Sequence, residues 1–514
     1  MFFFAALFAQ REGAIWYFGE GAGVDFNSGV PVALTNGQLF TNEGCATISD
    51  RNGSLLFYTD GSSVYNRNHV FMQNGTGLNG NYSSTHSAVV IPKPGSISEY
   101  YIFTVDVVQA GSNGFQYSVV DMSLDGGLGA IVEKNVPVFP EVTERIAAYK
   151  KSFANEFWIV TRKANGNEFM VYSLTAAGLN MTPVISAIGI PSYGNNRASG
   201  QIEISQDGRR LALANAWETQ VFDFNENTGE VTNEMTVMTN VNSYGVEFSP
   251  NGNLLYVSFY GGICQLNLLA GSEADIQNSK YSLLDNFPVE AYASSQTGPD
   301  GKIYITKRTK EYLDVIHEPN NIGATCDYRY NDFYLDGRRG LLGLPTFISN
   351  INSLEGFIQY EGSCLGEETI FNADFDNPSA TILWDFGDGN TSTDVSPVHE
   401  YIATGTYLVS LTLTEGIQSN TENVEITISE YPVANPPADL VGCTSYGSYN
   451  IDLPSFDTTV LGTQDPNDFN VTYFLSQADA DSNVNALEPV HSFDYGTTPV
   501  YVRVSNANNG QCYD

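Results

Sequence analysis

The chain has 514 residues, of which 22 are basic and 58 are acidic, so its formal net charge is −36. A charge of this sign and size repels polyanions, which excludes nucleic acid as a favoured partner. Charged residues make up only 16% of the chain, whereas glycine and tyrosine are plentiful, with 48 and 30 copies. This composition is typical of secreted all-β proteins, and the length predicts roughly two to four domains.

The chain begins with an apolar run over residues 1–10 that is too short to span a bilayer. We interpret it as the end of a signal peptide with cleavage near Ala9 or Gln10, although the usual basic segment is missing. A buried first strand is the alternative. No other stretch is long and apolar enough for a transmembrane helix. We therefore expect a protein that is secreted or held on the outer cell surface, and not an integral membrane protein.

A strand, a glycine turn and a second strand recur between residues 12 and 355. The later repeats are spaced by 44 and 49 residues, which is the length of a β-propeller blade. The turn glycines of the four clearest copies are Gly53, Gly208, Gly252 and Gly301. Two weaker copies, which lie between the first and second of these glycines, are the pairs 87–91 with 100–105 and 146–149 with 156–160.

The two ends of this region carry further apolar strands, at 14–18 and 344–348. Together they could form a composite blade that closes the ring and removes exposed strand edges. We therefore predict a β-propeller of about seven blades over residues 12–355, with six and eight blades as the alternatives.

A second kind of pattern follows the repeats. Residues 382–386 alternate apolar and other side chains with the period of a half-buried strand, and Asp388-Gly389 is a dipeptide that tolerates a hairpin turn. Residues 405–413 alternate again, which predicts a longer strand. These segments indicate a separate β module.

The order W-x-F-G-D-G, H-x-Y and G-x-Y-x-V-x-L resembles the PKD (polycystic-kidney-disease-type) domain, an immunoglobulin-like β-sandwich, over residues 357–430. The resemblance implies structural roles, with one tryptophan in the core and one tyrosine fixing a corner. The motif residues are Trp384, Asp385, Phe386, Gly387, Asp388, Gly389, His399, Tyr401, Gly405 and Tyr407. The core residue would be Trp384, and the corner residue Tyr407. Asp385 and Asp388 are also candidate calcium ligands, with turn formation as the alternative.

Beyond this module, residues 431–437 are rich in proline and predict an extended linker. Residues 438–514 alternate in short runs, so we expect a second β-sandwich, truncated at its end. Of six cysteines, Cys443 and Cys512 bracket this segment, and we predict a disulfide between them that stabilises it by about 4 kcal/mol. The sequence leaves the pairing of the other four open.

Motifs for common enzymes and for zinc are absent from the sequence, so calcium is the one cofactor considered. Glu203 and Glu247 precede two of the glycine turns at corresponding positions, and could line one face as ligand-binding or catalytic carboxylates. Solvated strand residues are the alternative. Arg145 and Arg197 are candidates for ligand contacts, with structural roles as the alternative.

The module order resembles that of secreted or cell-surface proteins of Bacteroidetes, including gliding-associated proteins of the type IX export system. This resemblance favours a non-catalytic adhesion protein, in which the propeller face binds an extracellular protein or glycan and the sandwiches are spacers. The alternative is a secreted enzyme, a hydrolase or lyase acting on polysaccharide, which requires two carboxylates at the mouth of the propeller channel. A purely mechanical role is a third hypothesis.

Overall fold

The computed structural model divides the chain into two compact units, residues 1–354 and 355–514, and each is described by itself. It describes residues 11–514 except for 109–111, 152–154, 193–197, 285–291, 352–355, 376–379, 416–417 and 443–446. Three predictions therefore fall outside the described residues: the signal-peptide remnant at 1–10, the ligand role of Arg197 and the position of Cys443.

The first unit consists of antiparallel meanders, which we number as sheets 1 to 7 in chain order. Sheet 1 contains β1 (Ile15–Phe18), β2 (Ala22–Asp25) and β3 (Val32–Leu34). Sheet 2 contains β4 (Ala46–Ser49), β5 (Leu55–Thr59), β6 (Ser63–Asn66) and β7 (Phe71–Thr76). Sheet 3 contains β8 (Ala88–Pro92), β9 (Glu99–Val105), β10 (Phe115–Asp121) and β11 (Ala130–Phe139).

Sheet 4 contains β12 (Val142–Lys150), β13 (Phe157–Lys163), β14 (Glu168–Thr175), β15 (Gly178–Leu179) and β16 (Val184–Ala187). Sheet 5 contains β17 (Ile202–Ile204), β18 (Arg210–Ala214), β19 (Glu218–Phe224) and β20 (Val231–Thr239). Sheet 6 contains β21 (Ser243–Phe248), β22 (Leu254–Phe259), β23 (Gly262–Asn267) and β24 (Tyr281–Leu284), with helix α1 (Glu273–Asn278) between the last two. Sheet 7 contains β25 (Tyr292–Thr297), β26 (Ile303–Lys307), β27 (Tyr312–Ile316) and β28 (Tyr328–Tyr334).

The sheets are arranged around an axis as in a β-propeller. The first strands of sheets 2 to 7 contact one another in chain order, and β1 contacts β4. Trp16 of β1 packs edge-on against Tyr304 of β26 at 5.6 Å between ring centroids, so sheet 1 lies between sheet 7 and sheet 2. Sheets 2 and 3 also pair edge to edge through Gln73 and Ala130. Because that pairing merges sheets 2 and 3 into one eight-stranded sheet, the number of seven blades stays a prediction.

The glycine-turn hairpins that the sequence predicts are confirmed as the first two strands of sheets 2, 5, 6 and 7. The two weaker copies also pair, as the first two strands of sheets 3 and 4. Gly208 shows why glycine is needed: its φ is 66°, and a Cβ there would lie 2.5 Å from the Tyr149 hydroxyl. We call the side of the propeller with these turns the turn face, and the side where sheets are joined the joining face.

A single segment, residues 342–350, runs through the propeller channel. The Leu342 carbonyl accepts a hydrogen bond from the Ser294 N–H of β25 (3.0 Å), and the Leu342 N–H donates to Asn42 (2.8 Å). Thr346 N–H donates to the Cys45 carbonyl just before β4, at 2.8 Å. Near the joining face the segment is therefore hydrogen-bonded both to β25 of sheet 7 and to residues just before β4 of sheet 2.

The same segment continues to the opposite wall. The Ser349 N–H donates to the Ala148 carbonyl of β12 at 2.8 Å. The Asn350 side chain donates to the Lys150 carbonyl and accepts from its N–H, both at 2.9 Å. The channel segment, as we call residues 342–350, therefore connects three sheets from inside the ring.

This path corrects the prediction for the two ends of the propeller. Residues 15–18 form β1, but β1 pairs with β2 and not with residues 344–348. Pro345 instead forms a parallel bridge with Cys45, and Ile348 one with Ala148. Residues 15–18 and 344–348 contact each other through side chains, with the Trp16 and Phe347 rings 5.9 Å apart. Buried apolar groups therefore pack these two segments together, and the antiparallel bridge between Glu20 and Arg339 joins the two ends of the region as well.

The second unit begins with a sandwich of two sheets. The first sheet contains β29 (Gly356–Glu361), β30 (Glu368–Phe375) and β33 (Val398–Glu400). The second contains β31 (Thr381–Asp385), β32 (Thr391–Ser392), β34 (Gly405–Glu415) and β35 (Gln418–Ile428). Trp384 is completely buried between them, 5.5 Å from the Phe371 ring, and its indole N–H donates to the Asp394 carbonyl. The predicted core tryptophan is therefore confirmed.

The last module contains two two-stranded sheets with short helices. Its elements are β36 (Tyr449–Asp452), α2 (Asp457–Leu461), β37 (Phe469–Phe474), α3 (Gln477–Ser482), β38 (Val490–Phe493) and β39 (Tyr501–Asn506). The preceding proline-rich stretch is docked on this module, since the Gln464 side chain bonds both the N–H and the carbonyl of Val433. Of the α-helices described, α1 to α3, none is long and apolar enough to cross a membrane.

The disulfide prediction is wrong, because Cys512 is bonded to Cys364, with 5.5 Å between their Cα atoms. Cys364 lies at the edge of the sandwich, where it bridges to Ser429. The Asn509 side chain donates to the Ser363 hydroxyl at 2.8 Å, so the chain end lies against this edge. Spacing along the chain suggested the wrong partner because the true one is 148 residues away.

Candidate functional site

The mouth of the channel on the joining face carries a polar cluster. Its four members come from four sheets, each at or just before the start of a first strand. They are Glu43 before β4, Thr85 before β8, Glu144 in β12 and Tyr244 in β21. We call these residues the mouth cluster. First strands converge on the axis in a propeller, so positions far apart in the sequence meet here.

Glu43 is held by three side-chain donors. The Tyr244 hydroxyl donates to its Oε2 at 2.6 Å, and Ser83 Oγ donates to its Oε1 at 3.1 Å. Asn42 Nδ2 also donates to Oε1, at 3.3 Å. Burial raises the pKa of the Glu43 carboxyl, and these hydrogen bonds oppose the rise. The side chains of Glu43 and Tyr244 are both partly exposed.

Glu144 is the second carboxyl of the mouth cluster and is 9% exposed. Burial, and then the nearby Glu43 charge, raise its pKa to about 6. The Val108 N–H donates to its Oε1 at 3.3 Å and Thr85 Oγ1 to its Oε2 at 3.4 Å. The mouth therefore holds two interacting carboxyls whose affinity for protons is above normal.

Arg145 follows Glu144 in β12 but points into the protein. It is completely buried and donates to the carbonyls of Ser199 and Ala214, the latter at 2.8 Å. Burial lowers its pKa to about 9. Its contacts join sheet 4 to the backbone of sheet 5, so the structural alternative describes Arg145 better than ligand contact does.

Glu203 and Glu247 lie deeper in the channel, on the neighbouring strands β17 and β21. They are 7% and 6% exposed, so they are not solvated strand residues. Burial raises the pKa of Glu203 to about 7, and a contact with Ser349 of the channel segment opposes the rise. Burial, and then the Glu203 charge, raise the pKa of Glu247 well above its usual value, and Thr297 donates to its Oε1 at 3.0 Å.

The two carboxyl pairs differ in what they can do. The deep pair is enclosed and touches the channel segment, so it is suited to structure and to pH response. The mouth cluster is less enclosed, since Glu43 is partly exposed, and its carboxyl oxygens suit hydrogen bonding to hydroxyl or ammonium groups of a ligand. Among the described residues no group of three or more His, Cys, Asp or Glu side chains could hold a metal ion.

The sandwich motif residues have turn and packing contacts. Asp385 Oδ1 accepts from the Gly387 N–H at 2.9 Å, and Asp388 accepts from the Asn390 N–H and from His399 Nε2, at 3.0 and 2.8 Å. Although burial raises the pKa of Asp388, these donors lower it overall. Gly387 has a φ of 79°, and a Cβ there would lie 2.6 Å from the Leu408 carbonyl oxygen. These contacts match the turn-forming alternative for the two aspartates.

The histidine and the two tyrosines of the motif pack around the same turn. His399 stacks on the Phe386 ring at 4.3 Å, and the buried Tyr401 hydroxyl donates to the Phe386 carbonyl. The Tyr407 hydroxyl donates to the carbonyl of Ala403, four residues earlier, at 2.9 Å, as a corner-fixing tyrosine does. Gly405 begins β34 with a φ of 149°.

Sequence reasoning placed Glu203 and Glu247 together but missed the mouth cluster. Glu43 and Thr85 lie in loops that carry no repeat signature, and Tyr244 is one of 30 tyrosines. One signal was available. In a propeller, the residues that just precede each first strand surround the mouth of the channel. A polar residue at that position is therefore a candidate site residue even where the sequence around it shows no motif.

Two family models match the second unit. Residues 357–428 match the PKD domain. Residues 439–514 match the Flavobacterium inter-domain disulphide bond domain. The bond between Cys364 and Cys512 joins one matched range to the other, in agreement with the second description. The chain is thus a PKD-containing protein whose PKD domain is followed by an inter-domain disulphide bond domain.

Curated relatives match only short stretches. A microbial collagenase of Vibrio alginolyticus is 42% identical over 55 residues, covering 10% of this chain and 7% of the relative. Collagenase ColA of Bacillus cereus is 33% identical over 138 residues, covering 25% of this chain and 13% of the relative. The chain therefore spans 7% to 13% of the length of these two relatives.

Two solved structures are similar to parts of the chain. The PKD1 domain of Vibrio cholerae metalloprotease PrtV is 26% identical, with a TM-score of 0.14, covering 15% of this chain and 96% of that one. The β-propeller domain of Cps50 (Swd1) from Myceliophteria thermophila is 12% identical, with a TM-score of 0.38, covering 58% of this chain and 91% of that one.

Proposed function

We propose that this protein is a non-catalytic extracellular binding protein, whose propeller holds an extracellular protein or glycan at the mouth cluster. The PKD domain and the module after it act as spacers. PKD domains are typical of extracellular proteins, and the match over residues 357–428 supports this location. A secreted or cell-surface position, export by the type IX system and a role in gliding are parts of the same proposal.

The observation that carries the proposal is the way the mouth carboxyls are held. Both oxygens of Glu43 and both oxygens of Glu144 accept hydrogen bonds from the protein itself. A general acid or base must present a free oxygen to the bond that reacts. Carboxyls fixed in this way instead form a rigid surface on which ligand hydroxyl or ammonium groups share the remaining lone pairs.

A direct binding survey tests this proposal. The purified chain is applied to a glycan array and to extracellular proteins, and each ligand that is retained is measured by calorimetry. Glu43→Gln keeps the shape of the site and removes its charge, and we expect it to weaken binding roughly tenfold. Glu133→Gln, an exposed carboxylate elsewhere on the propeller, is the matched control. Equal affinity for the wild type and Glu43→Gln would place the ligand elsewhere.

A secreted enzyme acting on polysaccharide is the second candidate. Two interacting carboxyls lie at the channel mouth, and the pKa of Glu144 is raised to about 6, as a general acid requires. Release of reducing ends or unsaturated sugars from polysaccharides would identify such an activity. If turnover is found, and is lost in both Glu43→Gln and Glu144→Gln while binding persists, the binding-only proposal fails.

A further inference from the structure

A second site lies on the joining face, beside sheets 1 and 7. It is an open groove of about 410 Å³, lined by residues 20–21, 37–40 and 337–339. We call it the basic groove. The groove and the mouth cluster are close in sequence, because Phe40 of the groove lies three residues before Glu43. The groove contains none of the mouth carboxyls, so it is a separate feature of the same face.

Backbone pairing builds the floor of the basic groove. Glu20 forms antiparallel bridges with both Phe40 and Arg339. The Glu20 N–H donates to the Arg339 carbonyl and the Gly21 N–H to the Leu39 carbonyl, both at 2.9 Å. At Gly21 a Cβ would lie 2.7 Å from the Gly37 carbonyl oxygen, so only glycine allows these segments to approach. Three backbone segments are thus locked together before any ligand arrives.

The groove concentrates positive charge on a strongly acidic protein. Arg338 and Arg339 are exposed and line it, Glu20 is the one carboxylate of the lining, and Glu311 beside the groove lies 4.0 Å from Arg339. The nearest charged contact of Glu20 with Arg339 is 4.0 Å, at the limit of an ion pair. Two further cations, Arg308 and Lys310, lie on a hairpin joined to this edge, because Thr309 N–H donates to the Gly340 carbonyl at 2.9 Å. Four of the 22 basic residues of the chain are gathered here.

Exposed aromatic rings border the same cations. Phe40 lines the groove and is 63% exposed. Tyr312 and Tyr334 form an exposed pair with ring centroids 4.9 Å apart. Tyr312 is two residues after Lys310, and Tyr334 is three residues before Gly337. Aromatic faces with adjacent polar groups are suited to the flat apolar side of a sugar ring, and a guanidinium to a carboxylate or sulfate. An acidic peptide would use the cations but would not need the rings.

We propose that the basic groove binds a carboxylated or sulfated sugar unit of a glycan, with Arg338 and Arg339 on the acidic group and Phe40 against the ring. The net charge of −36 opposes a long polyanion, so the ligand carries its acid at an end or a branch. The volume of the groove is at the lower end of the range for small-ligand sites, as a short sugar segment requires. The proposal goes beyond the mouth cluster and does not depend on it.

The test compares acidic glycans with their neutral parents. An array pairs each carboxylated or sulfated oligosaccharide with the same oligosaccharide lacking the acid, and adds a glutamate peptide of equal charge. We expect retention of at least one acidic glycan, roughly tenfold above its neutral parent and above the peptide. Failure of every acidic glycan to exceed its parent, or equal binding of the peptide, overturns the proposal.

Variants locate the binding. Arg338→Gln and Arg339→Gln should each weaken the best acidic glycan roughly tenfold, and should leave the neutral parent unchanged. Arg339→Lys keeps the positive charge but loses the planar guanidinium. Its affinity for the acidic glycan should lie between those of the wild type and Arg339→Gln. Arg209→Gln removes an arginine that is 84% exposed on the turn face, and should have no effect. Unchanged affinity in both glutamine variants overturns the proposal, whereas Glu43→Gln tests the mouth cluster alone.

Thermal unfolding of every variant checks that the propeller remains folded. Phe40→Ala gives a second reading, because it should weaken the acidic glycan while keeping its preference over the neutral parent. If Phe40→Ala leaves affinity unchanged, the sugar ring does not lie where we propose.

Discussion

Cys364 and Cys512 join the PKD domain to the module that ends the chain, across 148 residues of sequence. A cross-link over so long a loop limits the unfolded chain, and removing such a bond costs about 2–5 kcal/mol. We expect the double variant Cys364→Ala/Cys512→Ala to unfold the second unit at lower urea, by that amount. Intrinsic fluorescence and limited proteolysis both report the transition.

Reductant supplies the control for the disulfide. It should shift the wild type to the midpoint of the double variant and leave the double variant unchanged. Among the described cysteines, Cys45, Cys264 and Cys326 of the first unit form no disulfide, so reduction acts on the bond in the second unit. A double variant that unfolds like the oxidised wild type would show that the bond does not stabilise this unit.

Neighbouring residues of β31 give a matched pair for the PKD core. Trp384→Ala removes a completely buried side chain and should cost about 3–5 kcal/mol. Leu383 lies on the opposite face of the same strand and is 47% exposed, so Leu383→Ala should change the free energy of unfolding by about 0.5 kcal/mol or less. Urea unfolding of both variants measures the contrast, and equal losses would contradict a core on the Trp384 side.

Asn350 tests the channel segment. Asn350→Ala removes both side-chain hydrogen bonds to the partly buried backbone of Lys150, at a cost of about 1–3 kcal/mol. Calorimetry of the propeller transition should show this loss. Asn227→Ala, at an exposed position in a turn, is the control and should be neutral. A neutral Asn350→Ala would mean that the segment does not hold the ring.

The deep carboxyl pair predicts a pH dependence of propeller stability. The pKa of Glu203 is raised to about 7 and that of Glu247 is also raised well above its usual value, so the folded state holds more protons than the unfolded state above about pH 4.5. The stabilisation is complete below that pH and is lost as pH rises through the folded pKa. We expect Glu203 alone to lower the free energy of unfolding by roughly 2–3 kcal/mol between pH 5 and pH 9, and Glu247 to add to this fall.

Glu203→Gln/Glu247→Gln isolates this effect. The amides remain neutral at every pH, so the variant should lose most of the decline between pH 5 and pH 9. Glu133→Gln replaces an exposed carboxylate and should retain the wild-type profile. An identical profile in all three proteins would assign the pH dependence to other groups.

Local patterns predicted much of this fold. The turn glycines such as Gly208 and the core alternation around Trp384 are decided by residues within a few positions of each other, and both are confirmed. The two carboxyls Glu203 and Glu247 were also placed together, because equivalent positions in adjacent repeats face the same axis. Because the repeats are equivalent, a pattern within each one also predicts contacts between residues of different repeats.

Contacts outside the repeats could not be predicted in this way. The partner of Cys512 and the path of residues 342–350 depend on how separate modules and the two ends of the ring close in space. The mouth cluster depends on loops of unequal length, in which Glu43 and Tyr244 are 201 residues apart yet 2.6 Å from oxygen to oxygen. The repeat spacing in the sequence does not predict such a contact.

The channel segment directly precedes the second unit, which starts at residue 355. A pulling force applied to the later modules would therefore reach the propeller through residues bonded at once to sheets 2, 4 and 7. Bonds loaded together in shear must break together, whereas an outer strand would peel away one bond at a time. The propeller is thus tied together from inside by the same segment through which its chain continues toward the second unit.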